Sequence, residues 1–243
     1  MLSKKLKLTR IYIFLIMFVS IITATYNRAR FMKRLILAFQ RQTYRQDLME
    51  WIILDDGFES VGEYFEGMEN VRYIRSYIRE PMGEKLNRLC KEARGDIIIV
   101  MDDDDYYQPE RVSTVVNAFY TYPQIEVAGS SHVYMYSTGE DQVYSVGPYH
   151  AKHALNCTLA FRKSYLKEHR YDPMEECAVE KVFLEDFTVP IIQLPAENTI
   201  VHIIHSSNTF KKKMSVGMLQ KTALKLEDVI TDEELRAAYI DAF

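Results

Sequence analysis

The sequence of 243 residues lacks several features that would assign it to a specialised class of protein. Its three cysteines are an odd number without a CxxC pair, so neither a disulfide framework nor a zinc site is expected. A formal net charge of -4 leaves no excess of basic residues, which argues against a nucleic acid partner. Internal repeats, Gly-Ser linkers and a glycine-rich phosphate loop are all missing. With 48% hydrophobic and 26% charged residues, the chain is an ordinary globular one, most simply with one main domain.

A long hydrophobic run is also missing, although the N-terminus comes close to one. Basic residues between positions 4 and 10 precede an apolar stretch at 11–22, an order that resembles a signal peptide or signal anchor. The stretch is shorter than the ~20 residues that a membrane helix needs, and its second half also fits the first buried strand of the domain. We therefore expect a cytoplasmic protein, with membrane association through residues 1–18 as the alternative.

Segments with strand periodicity alternate with segments of helical periodicity along the chain. The predicted strands are 19–24, 50–54, 71–74, 97–100, 125–128 and 199–204, and the predicted helices are 31–44, 82–94 and 109–122. This alternation predicts an α/β fold, with a central, mostly parallel sheet flanked by helices. Short alternating segments within residues 131–160 predict antiparallel strands added to that sheet. The predicted domain covers residues 19–210, with a helical acidic segment at 175–187 and a helical tail at 211–243.

The most informative stretch is a run of four aspartates, Asp102–Asp105, directly after the apolar residues Ile97–Val100. Four negative charges at the end of a buried strand repel one another and need a cation or good hydrogen-bond donors. In an open α/β sheet, the crevice beyond the carboxyl end of such a strand is where ligands bind. Asp102 and Asp104 point the same way if the backbone is extended, and oxygen ligands suit Mg²⁺ or Mn²⁺. The alternative is a solvated acidic turn.

Three stretches together resemble family 2 glycosyltransferases with the GT-A fold. Residues 20–28 resemble the opening strand and nucleotide-binding turn of that family, and residues 51–57 its second strand with an aspartate pair. Residues 95–109 resemble the strand that carries its DxD motif. Residues 180–184 and 205–210 are more loosely similar to a subset of these enzymes often met in large DNA viruses, which would place the protein in a host cytoplasm.

The resemblance implies an inverting, metal-dependent transfer of a sugar from a nucleotide-sugar to a hydroxyl group. The donor is usually a UDP-sugar, and Mn²⁺ or Mg²⁺ offsets the charge of the diphosphate leaving group. The acceptor is expected to be a glycan, a glycoprotein or a lipid. It is expected to bind in the region 131–160 and on the tail.

The resemblance also assigns roles to single residues. The metal set is Asp102, Asp104, Asp105 and His205, with Asp104 as the first choice for a direct ligand. The donor-contacting set is Thr25, Tyr26, Asn27, Arg28, Asp55, Asp56, Lys85, Arg88, Asp102 and Asp103. Within it, Asp56 matches the residue that accepts a hydrogen bond from uracil, and Asp103 fills a variable, dispensable position. A structural capping role is an alternative for Asp55, as a surface salt bridge is for Arg28.

Inversion requires a general base, which the family places at the start of a helix in the second half. Glu180 is the best positional match, and Glu185 and Asp186 are the alternatives. The family often has a pair of acidic residues here, and Val179 occupies the first position of that pair. An exposed acidic helix face would explain the same residues. His202 is expected to be a packed histidine.

Two other functions fit parts of the pattern. A metal-dependent nucleotidyltransferase or phosphohydrolase also gathers aspartates, but only Asp55 and Asp56 offer it a second acidic motif. A GT-A domain that binds nucleotide or glycan without turnover is the other possibility, and Val179 keeps it open.

Overall fold

The computed structural model describes residues 17–205, residue 208 and residues 219–240. Most of the predicted N-terminal anchor segment and residues 211–218 of the predicted tail lie outside the described residues. So do most of residues 205–210, on which part of the looser resemblance rests. Within the described ranges, no helix has the length and apolar character that a membrane crossing requires.

The described elements follow the predicted alternation through the first half of the chain. The helices are α1 (Ala29–Gln40), α2 (Met82–Glu92), α3 (Arg111–Thr121), α4 (Glu180–Phe183), α5 (Leu226–Val229) and α6 (Glu233–Ile240). The strands are β1 (Val19–Thr25), β2 (Met49–Asp55), β3 (Val71–Arg75), β4 (Ile97–Val100), β5 (Tyr106–Tyr107), β6 (Val127–Gly129), β7 (Val133–Ser137), β8 (Gln142–Val146), β9 (Ala160–Arg162), β10 (Ile191–Gln193), β11 (Ile200–Ile204) and β12 (Leu219–Lys221). Short 3₁₀ turns lie at Gln46–Leu48, Gly62–Phe65, Asn156–Thr158, Lys163–Lys167 and Ala196–Asn198.

A seven-stranded sheet with the order β10-β6-β9-β4-β1-β2-β3 forms the centre of the fold. Only β9 runs antiparallel to its neighbours, and the other pairs in this sheet are parallel. The four residues of β4 are at most 1% exposed, as expected for a strand covered on both faces. The predicted α/β fold with a mixed, mostly parallel central sheet is therefore confirmed.

The register of the parallel strands brings their carboxyl ends to one edge of the sheet. Thr25 at the end of β1 is level with Asp55 at the end of β2, and Ile22 is level with Val100 of β4. The backbone N–H of Met101 continues this ladder by donating to Ile22 O at 3.0 Å. The polar residues that follow all three strands consequently meet at the same edge.

Antiparallel strands form within residues 131–160 as predicted, but the prediction that they join the central sheet was wrong. Both β7 and β8 belong to a second sheet with the order β12-β8-β7-β11-β5. Its parallel pairing of β7 with β11 joins segments more than sixty residues apart, which local periodicity does not report. The short strand β5, directly after the acidic run, pairs with β11 and attaches this sheet to the candidate site.

The predicted helical segment at residues 175–187 was also wrong over most of its length. Only α4 is helical there, and the backbone has positive φ at Ala178, Glu185, Asp186 and Phe187. The core determines this path, because the ring of Phe183 is fully buried and stacks on Tyr171 with centroids 4.0 Å apart. Two helices do form after residue 219, in agreement with the predicted helical tail.

Candidate active site at the carboxyl end of the central strands

The acidic run Asp102–Asp105 lies between β4 and β5, and its backbone is held by hydrogen bonds from several directions. The Thr23 hydroxyl donates to Met101 O at 2.8 Å, just before the run. The backbone N–H of Asp102 donates to the Tyr107 hydroxyl oxygen at 2.6 Å. The turn is thus fixed to β1 on one side and to β5 on the other.

Asp104 is the carboxylate on which the predicted partners converge. His205 Nε2 lies 3.3 Å and Arg28 Nη2 lies 3.5 Å from Asp104 Oδ2. Burial raises the pKa of Asp104, but the hydrogen bond from His205 and the charges of His202 and Arg28 outweigh it. The pKa of this carboxyl therefore lies below its usual value, and the group is ionised at neutral pH.

Asp102 differs from Asp104, because no hydrogen bond or ion pair within the described part of the chain reaches its carboxylate. Burial, together with the charges of the three aspartates that follow, holds its pKa well above the usual range. A bound cation would therefore stabilise the ionised form of Asp102 more than that of the neighbouring aspartates, which already have partners. Asp102 and Asp104 therefore fit the metal-binding and donor-binding roles that the sequence predicts for them.

Asp103 is buried, with its Oδ1 3.8 Å from Arg28 Nε. Burial and the charge of Asp104 raise the pKa of Asp103 to about 7, although Arg28 and the Thr25 hydroxyl oppose the rise. The middle position of the motif thus lies inside the site. Whether it is dispensable stays a prediction.

Asp105 is fully buried, and both of its oxygens already have donors from β11. His202 Nδ1 lies 2.9 Å from Oδ2, and the backbone N–H of Ile203 donates to Oδ1 at 2.9 Å. His202, expected to be only a packed residue, is thus a partner of the acidic run. Together with Cys157 this pair forms a group whose possible ligand atoms lie within 4.8 Å of one another. An ion there would compete with two hydrogen bonds at Asp105, so we consider Asp102 and Asp104 the better metal position.

The turn after β1 brings Arg28 to the acidic run. Asn27 has a φ of 54°, a left-handed conformation that asparagine tolerates. Its side-chain oxygen accepts a hydrogen bond from the backbone N–H of Phe58 at 2.8 Å, which ties the loop after β2 to this turn. The Arg28 side chain is only 12% exposed, so the surface salt bridge considered for it is not what forms. Tyr26 lies nearby, with the guanidinium of Arg79 3.8 Å from its ring centroid.

Asp55 occupies a position built for stability. Its carboxylate accepts hydrogen bonds from the backbone N–H groups of Gly57 at 2.8 Å and Val61 at 3.1 Å. The Tyr73 hydroxyl donates to it at 2.6 Å, and Arg75 forms an ion pair with it at 3.0 Å. The carboxylate is fully buried, so these contacts favour the structural alternative over a donor contact.

Asp56 and Lys85, both predicted to contact the donor, contact each other. Lys85 Nζ lies 2.9 Å from Asp56 Oδ1, and the backbone N–H of Glu80 donates to Oδ2 at 2.9 Å. Arg88, the other predicted contact on α2, instead pairs with the Glu80 carboxylate. The structure thus brings Lys85 to the site edge, and gives Arg88 a protein partner there.

The three candidate bases lie in different surroundings. Glu185 pairs with His169 at 3.1 Å and is 60% exposed, and Asp186 pairs with Lys181 at 3.4 Å and is 78% exposed. Glu180, at the start of α4, is partly buried. Burial raises the pKa of the Tyr171 hydroxyl, and the charges of Glu180 and Asp102 contribute to the rise. Glu180 and Asp102 therefore both lie within electrostatic range of Tyr171.

A cavity of about 570 Å³ opens at the same sheet edge, beyond β6 and β10. Its lining includes the polar and aromatic side chains of Ser131, His132, Tyr149, His150, Gln193 and Glu197. A path of hydrogen bonds links it to the acidic run: Ser130 N–H donates to the Thr158 hydroxyl, and Tyr107 OH donates to Cys157 O. Strands β4 and β6 are two positions apart in the sheet, or roughly 10 Å.

Two contributors to the site were missed from the sequence. Arg34 of α1 donates to Asp104 O at 2.9 Å, and the Tyr239 hydroxyl of α6 donates to Asp105 O at 2.6 Å. Arg34 had a signal, because it falls on the apolar face of its helix, three residues after Phe31. Tyr239 had none, since nothing local distinguishes it from other tyrosines.

Comparison with solved structures places this architecture among GT-A glycosyltransferases. S. aureus TarS 1-349 in complex with UDP-GlcNAc has a TM-score of 0.61 at 16% identity, covering 78% of this chain and 59% of that one. The mannosyltransferase PcManGT from Pyrobaculum calidifontis, in complex with GDP-Man and Mn²⁺, has a TM-score of 0.61 at 15% identity, covering 79% of this chain and 58% of that one. At these identities the likeness shows the fold.

Sequence comparison adds the family. The profile described as "Glycosyl transferase family 2" matches residues 20–177, well over half of the chain, and this chain belongs to that family. Protein CgeD of Bacillus subtilis (strain 168) is 28% identical over 137 residues, which are 51% of this chain and 32% of CgeD. The chain thus spans about a third of that relative. The predicted family is confirmed, whereas the looser resemblance to enzymes of large DNA viruses is not shown by these matches.

Proposed function

We propose that the protein is an inverting, metal-dependent glycosyltransferase that moves a sugar from a UDP-sugar to a hydroxyl group of a glycan, glycoprotein or lipid. The observation that carries this proposal is the convergence at Asp104. One cation from the turn after β1 and one histidine after β11 meet a carboxylate at the end of β4. These are the groups that a nucleotide diphosphate and its metal ion require.

The donor set fits a divalent metal ion. Asp102 offers a carboxylate without a protein partner among the described residues, and Asp104 an ionised one beside an imidazole nitrogen. Carboxylate oxygens with one histidine suit Mn²⁺ and, without the histidine, Mg²⁺. A bound ion would supply charge compensation for the diphosphate leaving group. PcManGT, the mannosyltransferase of similar fold, holds Mn²⁺ together with its donor.

The residues of this chain divide the remaining tasks. Arg28, held between Asp103 and Asp104, is the cation that faces the phosphates. Tyr26, which Arg79 contacts, and Asp56, whose carboxylate Lys85 holds, are the residues that we propose for the nucleoside. UDP and UDP-GlcNAc are found with TarS, which supports a uridine donor here.

Glu180 is the residue that we propose as general base. It is the best positional match of the three candidates and is partly buried, whereas Glu185 and Asp186 are exposed and form ion pairs, and it would remove the proton of the acceptor hydroxyl as that oxygen attacks. Glu180→Gln keeps the shape of the side chain and should lower kcat by roughly 10²- to 10⁴-fold with a small change in donor KM. Glu185→Gln is the matched control, because its exposed carboxylate pairs with His169.

The cavity beyond β6 and β10 is the proposed acceptor site. Its aromatic and amide side chains, among them Tyr149, His150 and Gln193, suit a polyhydroxylated ligand. Part of its lining, at residues 131–132 and 148–151, lies in the predicted acceptor region, and β6 beside it is roughly 10 Å from β4, which precedes the acidic run. A sugar acceptor could reach from it to the donor.

The two competing functions make different demands on the structure. A two-metal nucleotidyltransferase or phosphohydrolase needs a second open acidic motif, but Asp55 and Asp56 are neutralised by Arg75 and Lys85. A GT-A domain that binds its ligands without turnover differs from the proposed enzyme only in lacking a general base. Donor hydrolysis or sugar transfer by the purified protein would separate it from an enzyme.

Thermal shift with nucleotides and nucleotide-sugars, with and without Mn²⁺, tests the proposal. A ligand that binds only the folded state raises the Tm by mass action, and we expect a Mn²⁺-dependent shift with UDP or a UDP-sugar. Asp104→Ala should abolish it, whereas the control Asp47→Ala, at an exposed aspartate paired with Arg45, should retain it. No shift with any nucleotide would overturn the proposal.

A further inference from the structure

The backbone of the acidic run is held from behind by Arg34 and Tyr239. Arg34 Nη2 donates to Asp104 O at 2.9 Å, and the Tyr239 hydroxyl donates to Asp105 O at 2.6 Å. Both side chains are 2% exposed, so water does not compete for these two carbonyl groups from that side. Each bond fixes the orientation of one peptide plane between β4 and β5.

The two side chains also support each other. The Arg34 guanidinium lies 4.5 Å from the ring centroid of Tyr239 and 4.1 Å from that of Phe31, so it is sandwiched between two aromatic faces. Burial lowers the pKa of Arg34, and the charges of Asp104 and Asp105 oppose this. A buried cation behind four carboxylates reduces their mutual repulsion, which would otherwise open the run.

The position of Tyr239 depends on the C-terminal helices. The side chains of Leu226, Val229, Ile230, Leu235 and Tyr239 are buried in one cluster with β5 and β11. Gln108 Nε2 donates to Val229 O at 2.8 Å, and Arg41 Nε lies 3.1 Å from Asp232 Oδ2. These contacts attach the C-terminal helical segment to the residue after β5 and to the end of α1, which carries Arg34. Both helices lie beyond the residues that match the family profile.

We propose that Arg34 and Tyr239 are positioning residues of the donor site, and that α6 is a required part of that site. They act through the carbonyl groups of Asp104 and Asp105, which set the direction in which the carboxylates of Asp102 and Asp104 face the crevice. The consequence for metal and donor binding rests on the proposed function, whereas the hold on the acidic run rests on the two hydrogen bonds alone.

The cluster contains a matched control for the hydroxyl group of Tyr239. Tyr106 is fully buried, its ring centroid is 5.5 Å from that of Tyr239, and its hydroxyl has no hydrogen-bond partner among the described residues. Tyr239→Phe and Tyr106→Phe each remove one buried hydroxyl from the same cluster. Only Tyr239→Phe removes a hydrogen bond to the acidic run.

Hydrogen–deuterium exchange of the full-length protein, without metal, tests the hold on the run. We expect Tyr239→Phe to speed exchange of the amides at residues 102–106 about fivefold, the factor that a net hydrogen bond of about 1 kcal/mol represents. Tyr106→Phe should leave these amides at the wild-type rate. Equal exchange in Tyr239→Phe and wild type, or the same increase in both variants, would overturn the proposal whatever the metal does.

Mn²⁺ titration by electron paramagnetic resonance, with UDP present, tests the functional consequence. We expect the Kd of Tyr239→Phe for Mn²⁺ to rise about fivefold, and that of Tyr106→Phe to remain that of wild type. A purely structural role would lower the Tm of Tyr239→Phe without changing its Kd, and this would refute the role in the donor site. If wild type itself binds no Mn²⁺, the proposed function fails. The exchange experiment still shows whether Tyr239 holds the backbone of the acidic run in place. Should Tyr239→Phe not fold, Arg34→Lys serves in both measurements, because lysine keeps the charge and loses the planar stack.

Discussion

The aspartates after β2 and those after β4 lie at the same edge of one sheet, yet the protein neutralises them differently. Asp55 and Asp56 have donors on every side, including the cations of Arg75 and Lys85. In the acidic run after β4, Asp102 has no partner among the described residues, and the pKa values of Asp102 and Asp103 are raised. Two similar sequence patterns therefore have different uses. The paired carboxylate of Asp55 holds loops in place, whereas Asp102, without such a partner, leaves charge that a cation can compensate.

Removing the carboxylate of Asp55 should have the largest effect on stability. Asp55→Ala leaves the Arg75 cation without its buried partner and removes the acceptor for two backbone N–H groups and the Tyr73 hydroxyl. We expect the free energy of unfolding to fall by about 3 to 5 kcal/mol, measured by urea denaturation. Asp102→Ala is the comparison and should lower it by less than about 1 kcal/mol, because no hydrogen bond or ion pair among the described residues is lost with its carboxylate. Equal losses would mean that both groups of aspartates serve stability.

Breaking the pair Asp56–Lys85 should have the next largest effect. Lys85→Met keeps the aliphatic part of a side chain that is 2% exposed, and leaves the Asp56 carboxylate with the Glu80 N–H and the more distant Arg79. We expect a loss of about 2 to 3 kcal/mol in urea denaturation. The double variant Lys85→Met with Asp56→Asn should recover part of it, since no unpaired charge remains. A double variant that is less stable than Lys85→Met would contradict this account.

The pH dependence of stability separates the two groups of aspartates further. The folded-state pKa of Asp103 is about 7, so between its ordinary value of 3.8 and pH 7 the folded state binds more protons than the unfolded state. Stability from this group is therefore present below about pH 4 and is lost as the pH rises through 7. Without metal, we expect the wild type to lose on the order of 2 to 3 kcal/mol between pH 5 and pH 8. Asp103→Asn should flatten this slope in urea denaturation, and an unchanged slope would assign it to another group.

Local patterns predicted the parts of the fold in which neighbours in sequence are neighbours in space. The strands and helices up to α3 and the meeting of β1, β2 and β4 follow from periodicity and from the rules of parallel sheets. The second sheet did not follow, because β5 has two residues and its pairing with β11 bridges more than ninety positions. In the same way, the aspartates of the site were visible as a run, but the partners of each one were not. Arg75, His202 and Tyr239 become neighbours of these carboxylates only through the tertiary fold.

Substitutions of exposed carboxylates should have the smallest effects on stability and activity, and Asp186 gives the best test of this. Its side chain is 78% exposed and pairs with Lys181 at 3.4 Å, in contrast to the buried aspartates at the sheet edge. Asp186→Asn should change the free energy of unfolding by less than about 0.5 kcal/mol, because solvent screens a pair of this kind. Sugar transfer should stay within about twofold of wild type, since we propose Glu180 as the base. If Asp186→Asn instead lowered kcat by a hundredfold at unchanged stability, the segment after α4 would have to turn towards the acidic run during the reaction. Glu180 would then lose its role to Asp186.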